Sequence, residues 1–403
     1  MSGTAADPRL TNARPPPRRA LRLSWSDPRL RGIVSQVVVV GIVVAIVWYL
    51  VGNTNHNLAA RHIATGFAFL GRTAGIPIGE HLIPYDPAMD TFGRALVIGI
   101  LNTLRVAVVG IVLTTILGTL VGVARLSRNW LLARLAAVYV EVLRDIPVLL
   151  QLLFWYLVLQ GLPSPKRAWH PLSGVFLSNR GIKVPVLDWA TAHWWTLLAF
   201  LVGVALTLAW SRIARERQAA TGRRPPVWPV GVAAMIGLPV LVWAALGAPF
   251  RLDMPQLHGF NFQGGATLTP EYFALTFGLV LYTAAFVAEI VRAGILAMPT
   301  GQWEAGEALG LSRGAVLRRI VLPQTIRIIV PPMTSEYLNL TKNSSLAVAI
   351  GYQDVTSIAT TVLNQTGQAI EGIAYIMAVY LTISLGISFF MNWYNARVAL
   401  VER

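Results

Sequence analysis

The chain has 403 residues, of which 55% are hydrophobic and 13% charged, and its mean hydropathy is +0.58. This balance excludes a set of ordinary water-soluble domains and favours a protein that faces lipid. A formal charge of +15 would suit a nucleic-acid binder, but the arginines lie in short clusters between long apolar runs, so no nucleic acid is expected as a partner.

In chain order, residues 1–31 hold Pro15, Pro16, Pro17 and a run of arginines, a composition too poor in apolar residues to pack, and a disordered basic cytoplasmic tail is expected there. The apolar run that follows is too long for a signal-peptide core and lacks a small-residue cleavage pattern, so 32–51 is expected as a retained span. A spanning helix needs about 20 mainly apolar residues. Seven further stretches qualify or nearly do: 97–124, 135–160, 194–211, 230–247, 271–297, 325–350 and 372–394. The fourth and fifth of the eight are short, and the seventh is interrupted by Pro331, Pro332 and a polar patch. The expected fold is therefore an all-α integral membrane protein of about eight transmembrane helices, with an outer loop at 52–96 and a short tail at 395–403.

With both termini in the cytoplasm, about 21 basic residues fall inside against about eight outside, the bias that the positive-inside rule describes. Trp48, Trp194, Trp195, Trp210 and Trp393 stand at span ends, where an amphipathic ring prefers the headgroup level.

Little in the chain speaks for catalysis. It has no cysteine, which removes thiolate chemistry and Cys-based metal sites. Its lysines, Lys166, Lys183 and Lys342, lie outside any phosphate-cradling glycine loop, and its histidines show no metal-ligand spacing. No catalytic residue, metal or bound cofactor is expected.

The informative segment lies between the sixth and seventh spans, at 299–324. Thr300 can cap a short helix in which Ala305, Gly306 and Ala308 leave room for close approach. Gly310 supplies a left-handed residue to end it. Ser312 can cap a second short helix with Val316, Leu317 and Ile320 on one side and Arg313, Arg318 and Arg319 on the other, closed by Pro323. A compact helical hairpin is expected, with an apolar ridge and the acid Glu304 open to a partner.

This loop resembles that of the membrane subunits of binding-protein-dependent ABC importers, which reads E-A-A, three residues, G, nine residues, I-x-L-P. Glu304, Ala305, Gly310, Ile320, Leu322 and Pro323 match it in spacing, and Gly306 replaces the usual second alanine, a change that lowers helix propensity by up to about 1 kcal/mol. Other segments are similar to the polar amino-acid branch of that family: Tyr139, Arg144, Pro147 and Gln151; Ala285, Glu289, Arg292 and Gly294; Pro331 and Pro332; and Lys342 through Leu346. The resemblance implies a five-helix core in two parts, 97–160 and 271–394, interrupted by a two-span insertion at 161–270. The extra first span and the long insertion resemble the general L-amino-acid permeases of Gram-negative bacteria. It further implies a bacterial inner-membrane location and partners: ABC ATPase subunits that use ATP and Mg, a second related permease and a periplasmic amino-acid-binding protein.

Charges inside spans are costly unless paired or wet. Glu289 with Arg292 and Glu141 with Arg144 have the i, i+3 spacing of local ion pairs. Arg105 and Lys342 have no acid within a turn, and a cation facing a cavity is what an amino-acid carboxylate needs. Arg105, Lys342, Asn343 and Ser344 are thus candidates for a substrate pathway, although Arg105 could instead pair with Glu289 or Asp145, and the polar face of the seventh span could bond helix to helix. An ion-coupled secondary transporter is the competing reading; it would need paired acids at mid-membrane.

Overall fold

The computed structural model describes residues 28–60, 65–223 and 225–398; most of the expected N-terminal tail and the last residues of the C-terminal one lie outside them. The chain divides into two units, 1–66 and 67–403. In the first, α1 (Pro28–Ala60) is longer than the expected span. From Val37 to Val51 its large apolar side chains are exposed, a composition suited to a helix in lipid.

The second unit is built on α2 (Phe92–Ala124) and α8 (Pro270–Leu296), which run side by side. Between them stand α3 (Trp130–Asp145), α4 (Val148–Gln160), α5 (Thr191–Thr221) and a third stretch, α6 (Trp228–Val232), a π turn (Ala233–Gly237) and α7 (Leu238–Ala245). After α8 come α9 (Thr300–Ala308), α10 (Arg313–Val316), a π turn (Leu317–Val321), α11 (Leu322–Asn343), a 3-10 stretch (Ser344–Ile350), α12 (Val355–Thr366) and α13 (Ala369–Val398). Six helices of the described residues could cross a membrane alone, or up to eight spans exist if each of two bent pairs counts as one. The membrane-spanning architecture is therefore the expected one.

Lipid gives helices no hydrophobic reason to associate, so close backbone approach has to. On α2, a Cβ added at Gly118 would stand 2.6 Å from Val287, and one at Gly122 would stand 2.6 Å from the carbonyl oxygen of Ala288. This spacing of four lets α2 seat its backbone against α8.

The expected third span is broken. Pro147 has no N–H to give Leu143, and the chain turns by 104° between α3 and α4. Gln151 repairs the gap: its Nε2 donates to the orphaned carbonyl of Leu143 at 2.8 Å and to that of Ile146 at 2.9 Å. Tyr139 donates to the carbonyl of Leu281 at 2.8 Å and ties α3 to α8. Gln151→Leu removes the donor to both carbonyls. It is expected to destabilise the purified protein by about 1–3 kcal/mol, read as a lower thermal midpoint in detergent than the unsubstituted protein gives.

Short strands qualify the all-α expectation. β1 (Trp169–Leu172), β2 (Val175–Ser178) and β3 (Gly181–Val184) form an antiparallel sheet. β3 then pairs with β8 (Ala266–Leu268), and β4 (Val186–Leu187) pairs with β5 (Leu252–Asp253). A separate hairpin joins β6 (Gln256–His258) and β7 (Asn261–Gln263). The two flanks of the 161–270 segment thus build a β layer of three separate small sheets, and α5 with α6–α7 is a helical hairpin inserted within it. Gly203 lets that hairpin close, since a Cβ there would stand 2.0 Å from the carbonyl oxygen of Ala234.

The β layer lies at the end of the unit where α2, α5 and α8 begin; α9 and α10 lie at the opposite end. At the β end, residues 67–90 pack Phe69, Ala74, Ile76 and Ile78 against Leu96 and Ile98 of α2 and Ile358 and Val362 of α12. Burial, followed by the charges of Asp90 and Asp86, pushes the Tyr85 phenol above its ordinary pKa, so it stays a donor to the carbonyl of Ile76 at 2.9 Å.

Candidate functional site

The loop between α8 and α11 is a closed hairpin. Thr300 is the first residue of α9, not its cap; Pro299 precedes it and no side chain caps the helix. At the other end Gly310 has φ +74°, and two bonds complete a Schellman motif: Leu311 N–H to the carbonyl of Gly306 at 3.2 Å and Gly310 N–H to that of Glu307 at 2.9 Å. Beneath it, Met298, Val316 and Val321 are buried with Trp303, Leu311 and Ile320 packed around them.

Pro323 does not close the second helix. The chain widens into the π turn, whose Leu322 N–H bonds to the carbonyl of Leu317, and continues as α11. One extra residue per turn absorbs a proline that would clash inside regular α-helix. The side chains of Gln302 and Gln324 join the base of α9 to α11 at 3.2 Å. The second helix of the hairpin therefore runs on into α11 without a break.

What the hairpin presents differs from the expected ridge. Val316 and Ile320 point inward, where they hold the two helices together. The exposed residues are Glu304, Ala305, Ala308 and Leu309, the last 76% exposed, with Leu317, Leu322 and Pro323 beside them. Gly306 carries more weight than its small volume suggested, because a Cβ there would stand 2.6 Å from Val316 Cγ2 and 3.2 Å from Ile320 Cδ1. Gly306→Ala is expected to cost about 1–3 kcal/mol by overpacking and to increase proteolysis of the loop, and adding Val316→Ala should restore protection.

Close to the hairpin end, Arg292 Nη2 lies 2.5 Å from Glu289 Oε1. Arg125, at the end of α2, also bonds to Glu289, a contact that sequence spacing could not reveal. The second expected local pair is absent: among the described residues no ion pair joins Glu141 to Arg144. Arg144 sits in the last turn of α3, just before the break, and its guanidinium carbon lies 5.0 Å over the Phe286 ring of α8.

At the β end, Arg105 pairs with neither Glu289 nor Asp145. Its Nη1 lies 2.6 Å from Glu80 Oε2, and its guanidinium carbon is 3.9 Å from the centre of the Tyr272 ring in the first turn of α8. The other oxygen of Glu80 accepts from Thr269 N–H at 3.2 Å and from the Thr269 hydroxyl. Asn102 Nδ2 donates to the carbonyls of Glu80 and Gln353, both at 2.9 Å. Of the other pathway candidates, Ser344 is buried and donates to the carbonyl of Thr341 at 2.7 Å. Asn343 is half-buried and Lys342 exposed, and no hydrogen bond or ion pair brings either to Arg105 among the described residues.

A bundle of candidate spanning helices with a closed hairpin at one end and a polar cluster at the other describes a polytopic membrane protein. Residues 229–400 match the family model of the binding-protein-dependent transport system inner membrane component. The chain is 49% identical over 94% of its length to the putative amino-acid ABC transporter permease protein YhdX of Escherichia coli K12, covering 97% of that protein. It is 47% identical to the general L-amino acid transport system permease protein AapQ of Rhizobium johnstonii, over 95% of this chain and 96% of that one. It is 41% identical to the glutamate/glutamine/aspartate/asparagine transport system permease protein BztB of Rhodobacter capsulatus, over 96% and 99%. The chain belongs to the amino-acid ABC transporter permeases, the multi-pass inner-membrane components of binding-protein-dependent transport systems.

Proposed function

We propose that this permease carries L-amino acids into the cytoplasm and is moved by a separate ATPase bound to the hairpin from Glu304 to Pro323. The observation that carries this is the hairpin's construction: a buried apolar seat and a Schellman closure hold Glu304 and Leu309 outward on an arm continuous with α11. Force applied there would pass into α11, with which the second helix of the hairpin is continuous. ATP and Mg then belong to the partner, and this chain supplies no catalytic group. The arginine bias supports a cytoplasmic hairpin end, cytoplasmic termini and an outer β layer. A periplasmic binding protein would deliver substrate at that outer face.

A second permease fits an uncovered polar stripe on α11. Ser335, Asn339 and Lys342 are exposed at helical spacing in a spanning helix, and such residues normally face a bundle interior or a wet cavity. A related subunit packed there would enclose a path lined by Lys342 and Asn343. The names of the relatives support glutamate, glutamine, aspartate and asparagine as the first substrates to try.

The test is uptake of radiolabelled L-glutamine and L-glutamate into proteoliposomes holding the assembled complex and its binding protein. Accumulation should require ATP on the hairpin side and ignore proton and sodium gradients. Accumulation driven by either gradient without ATP overturns the reading in favour of a secondary transporter.

A further inference from the structure

Glu80 and Arg105 make a contact that the transport reading leaves unused. A carboxylate in this position is surrounded by a full receptor: a guanidinium on one oxygen, a hydroxyl and a helix-terminal N–H on the other. Charge-assisted bonds of this kind are the strong ones, and the N-terminus of α8 adds its own positive field. The Arg105 side chain is 22% exposed and that of Glu80 only 10%. This receptor is filled by the chain's own loop, and the molecules to be moved all carry an α-carboxylate.

We propose that Arg105 and Thr269 form a carboxylate-binding site at the outer mouth, that Glu80 occupies it as a tethered stand-in, and that an entering amino acid displaces Glu80 to open the path. The proposal rests on the amino-acid import reading. Three further observations carry it. Glu80 hangs beyond Gly79 while Ile76 and Ile78, on the other side of that glycine, stay buried in the core, so the carboxylate can leave without unfolding the loop. The tip is latched by polar bonds: Gly79 N–H to Gln353 Oε1 at 2.7 Å, Gln353 Nε2 to the carbonyl of Pro77 at 2.8 Å and Asn102 Nδ2 to the backbone carbonyl of Glu80 at 2.9 Å, the last of which leaves the Glu80 side chain free to swing. Beside it is a cleft of about 180 Å³, lined by Glu80, Thr269, Glu271, Tyr352 and Gln353, room for several waters or a small zwitterion. Glu271 there supplies an anion for the ammonium group. Exchange of one carboxylate for another on the same guanidinium keeps Arg105 paired throughout, avoiding the cost of a bare cation at the membrane.

The experiment measures direct binding of radiolabelled L-glutamine and L-glutamate to the assembled complex, without binding protein, alongside uptake. Glu80→Gln removes the competitor's charge and keeps its shape; affinity is expected to rise about tenfold, and Arg105→Gln to lose binding. The paired reversal Glu80→Arg with Arg105→Glu is expected to assemble but to transport at least tenfold more slowly. Unchanged or weaker binding in Glu80→Gln, or full uptake in the reversed pair, overturns the proposal and leaves a static clamp. Because the chain has no cysteine, Gly79→Cys with Gln353→Cys can be bridged by a short reducible thiol cross-linker. Bridging should stop uptake and reduction restore it; undiminished uptake while bridged also overturns the proposal. If the wild-type complex takes up neither amino acid, the import reading fails instead.

Discussion

Glu304→Lys is expected to reduce ATP-driven uptake by a factor on the order of 100 or more, with the chain still inserted and still assembled with its partner permease. Glu304 is exposed on α9, and among the described residues no side-chain bond or apolar contact of the hairpin uses it, so the change is expected to spare the fold. If an ATPase docks at Glu304 as proposed, reversal of the charge there replaces an attraction by like-charge juxtaposition, which costs several kcal/mol, and about 2.7 kcal/mol is already about a hundredfold. Gly310→Pro should reach the same loss by another route. Proline cannot adopt the φ of +74° found there and cannot donate to the carbonyl of Glu307, so the hairpin opens. The two variants separate in a protease assay: Glu304→Lys keeps the loop protected and Gly310→Pro does not. Normal uptake in both contradicts the coupling role.

The second large effect is on stability. Glu289 is the one acid shared by Arg125 and Arg292, and it joins the end of α2 to α8 just before the hairpin. Glu289→Ala leaves two guanidiniums facing each other at the membrane. Breaking a fully buried pair costs about 3–5 kcal/mol; these side chains are between 15% and 31% exposed, so roughly 2–3 kcal/mol is expected. The measurement is the thermal unfolding midpoint of the detergent-purified protein. Replacing all three charged residues with Leu or Met should recover most of the loss, because no charge is then left unpaired. No recovery would mean that the network contributes something other than charge pairing.

The parts of this architecture that were legible in the sequence are those written in local spacing. The left-handed turn at Gly310 follows from a glycine between two short amphipathic runs, and the spanning helices follow from length and hydropathy. The Glu289–Arg292 pair follows from a separation of one turn. Features that depend on distant residues were hidden. Glu80 lies in a loop well before Arg105, so no helical spacing connects them, and Arg125 reaches Glu289 from another helix. The strands are two to four residues long, too short for alternation to register, and β3 finds its partner β8 across the whole helical hairpin between them. At Pro147 the sequence held the cause of the break, but an apolar run on both sides of it made two helices read as one span. Glu141 and Arg144 show the opposite error: they have the spacing of a local pair, yet the Arg144 guanidinium lies over the Phe286 ring of α8 instead.

Whether a separate ATPase grips the hairpin can be measured at one position, because the chain has no cysteine. Leu309→Cys places a single thiol on the exposed tip. In inner-membrane vesicles holding the assembled complex, a short thiol cross-linker is expected to join it to an ATPase subunit carrying a cysteine in its docking cleft, with a yield that changes between ATP-bound and nucleotide-free states. A thiol at Phe260, on the β layer at the opposite end, should form no such link. An ATPase cross-link from Phe260 and none from Leu309 would contradict both the orientation of the chain and the role of its hairpin.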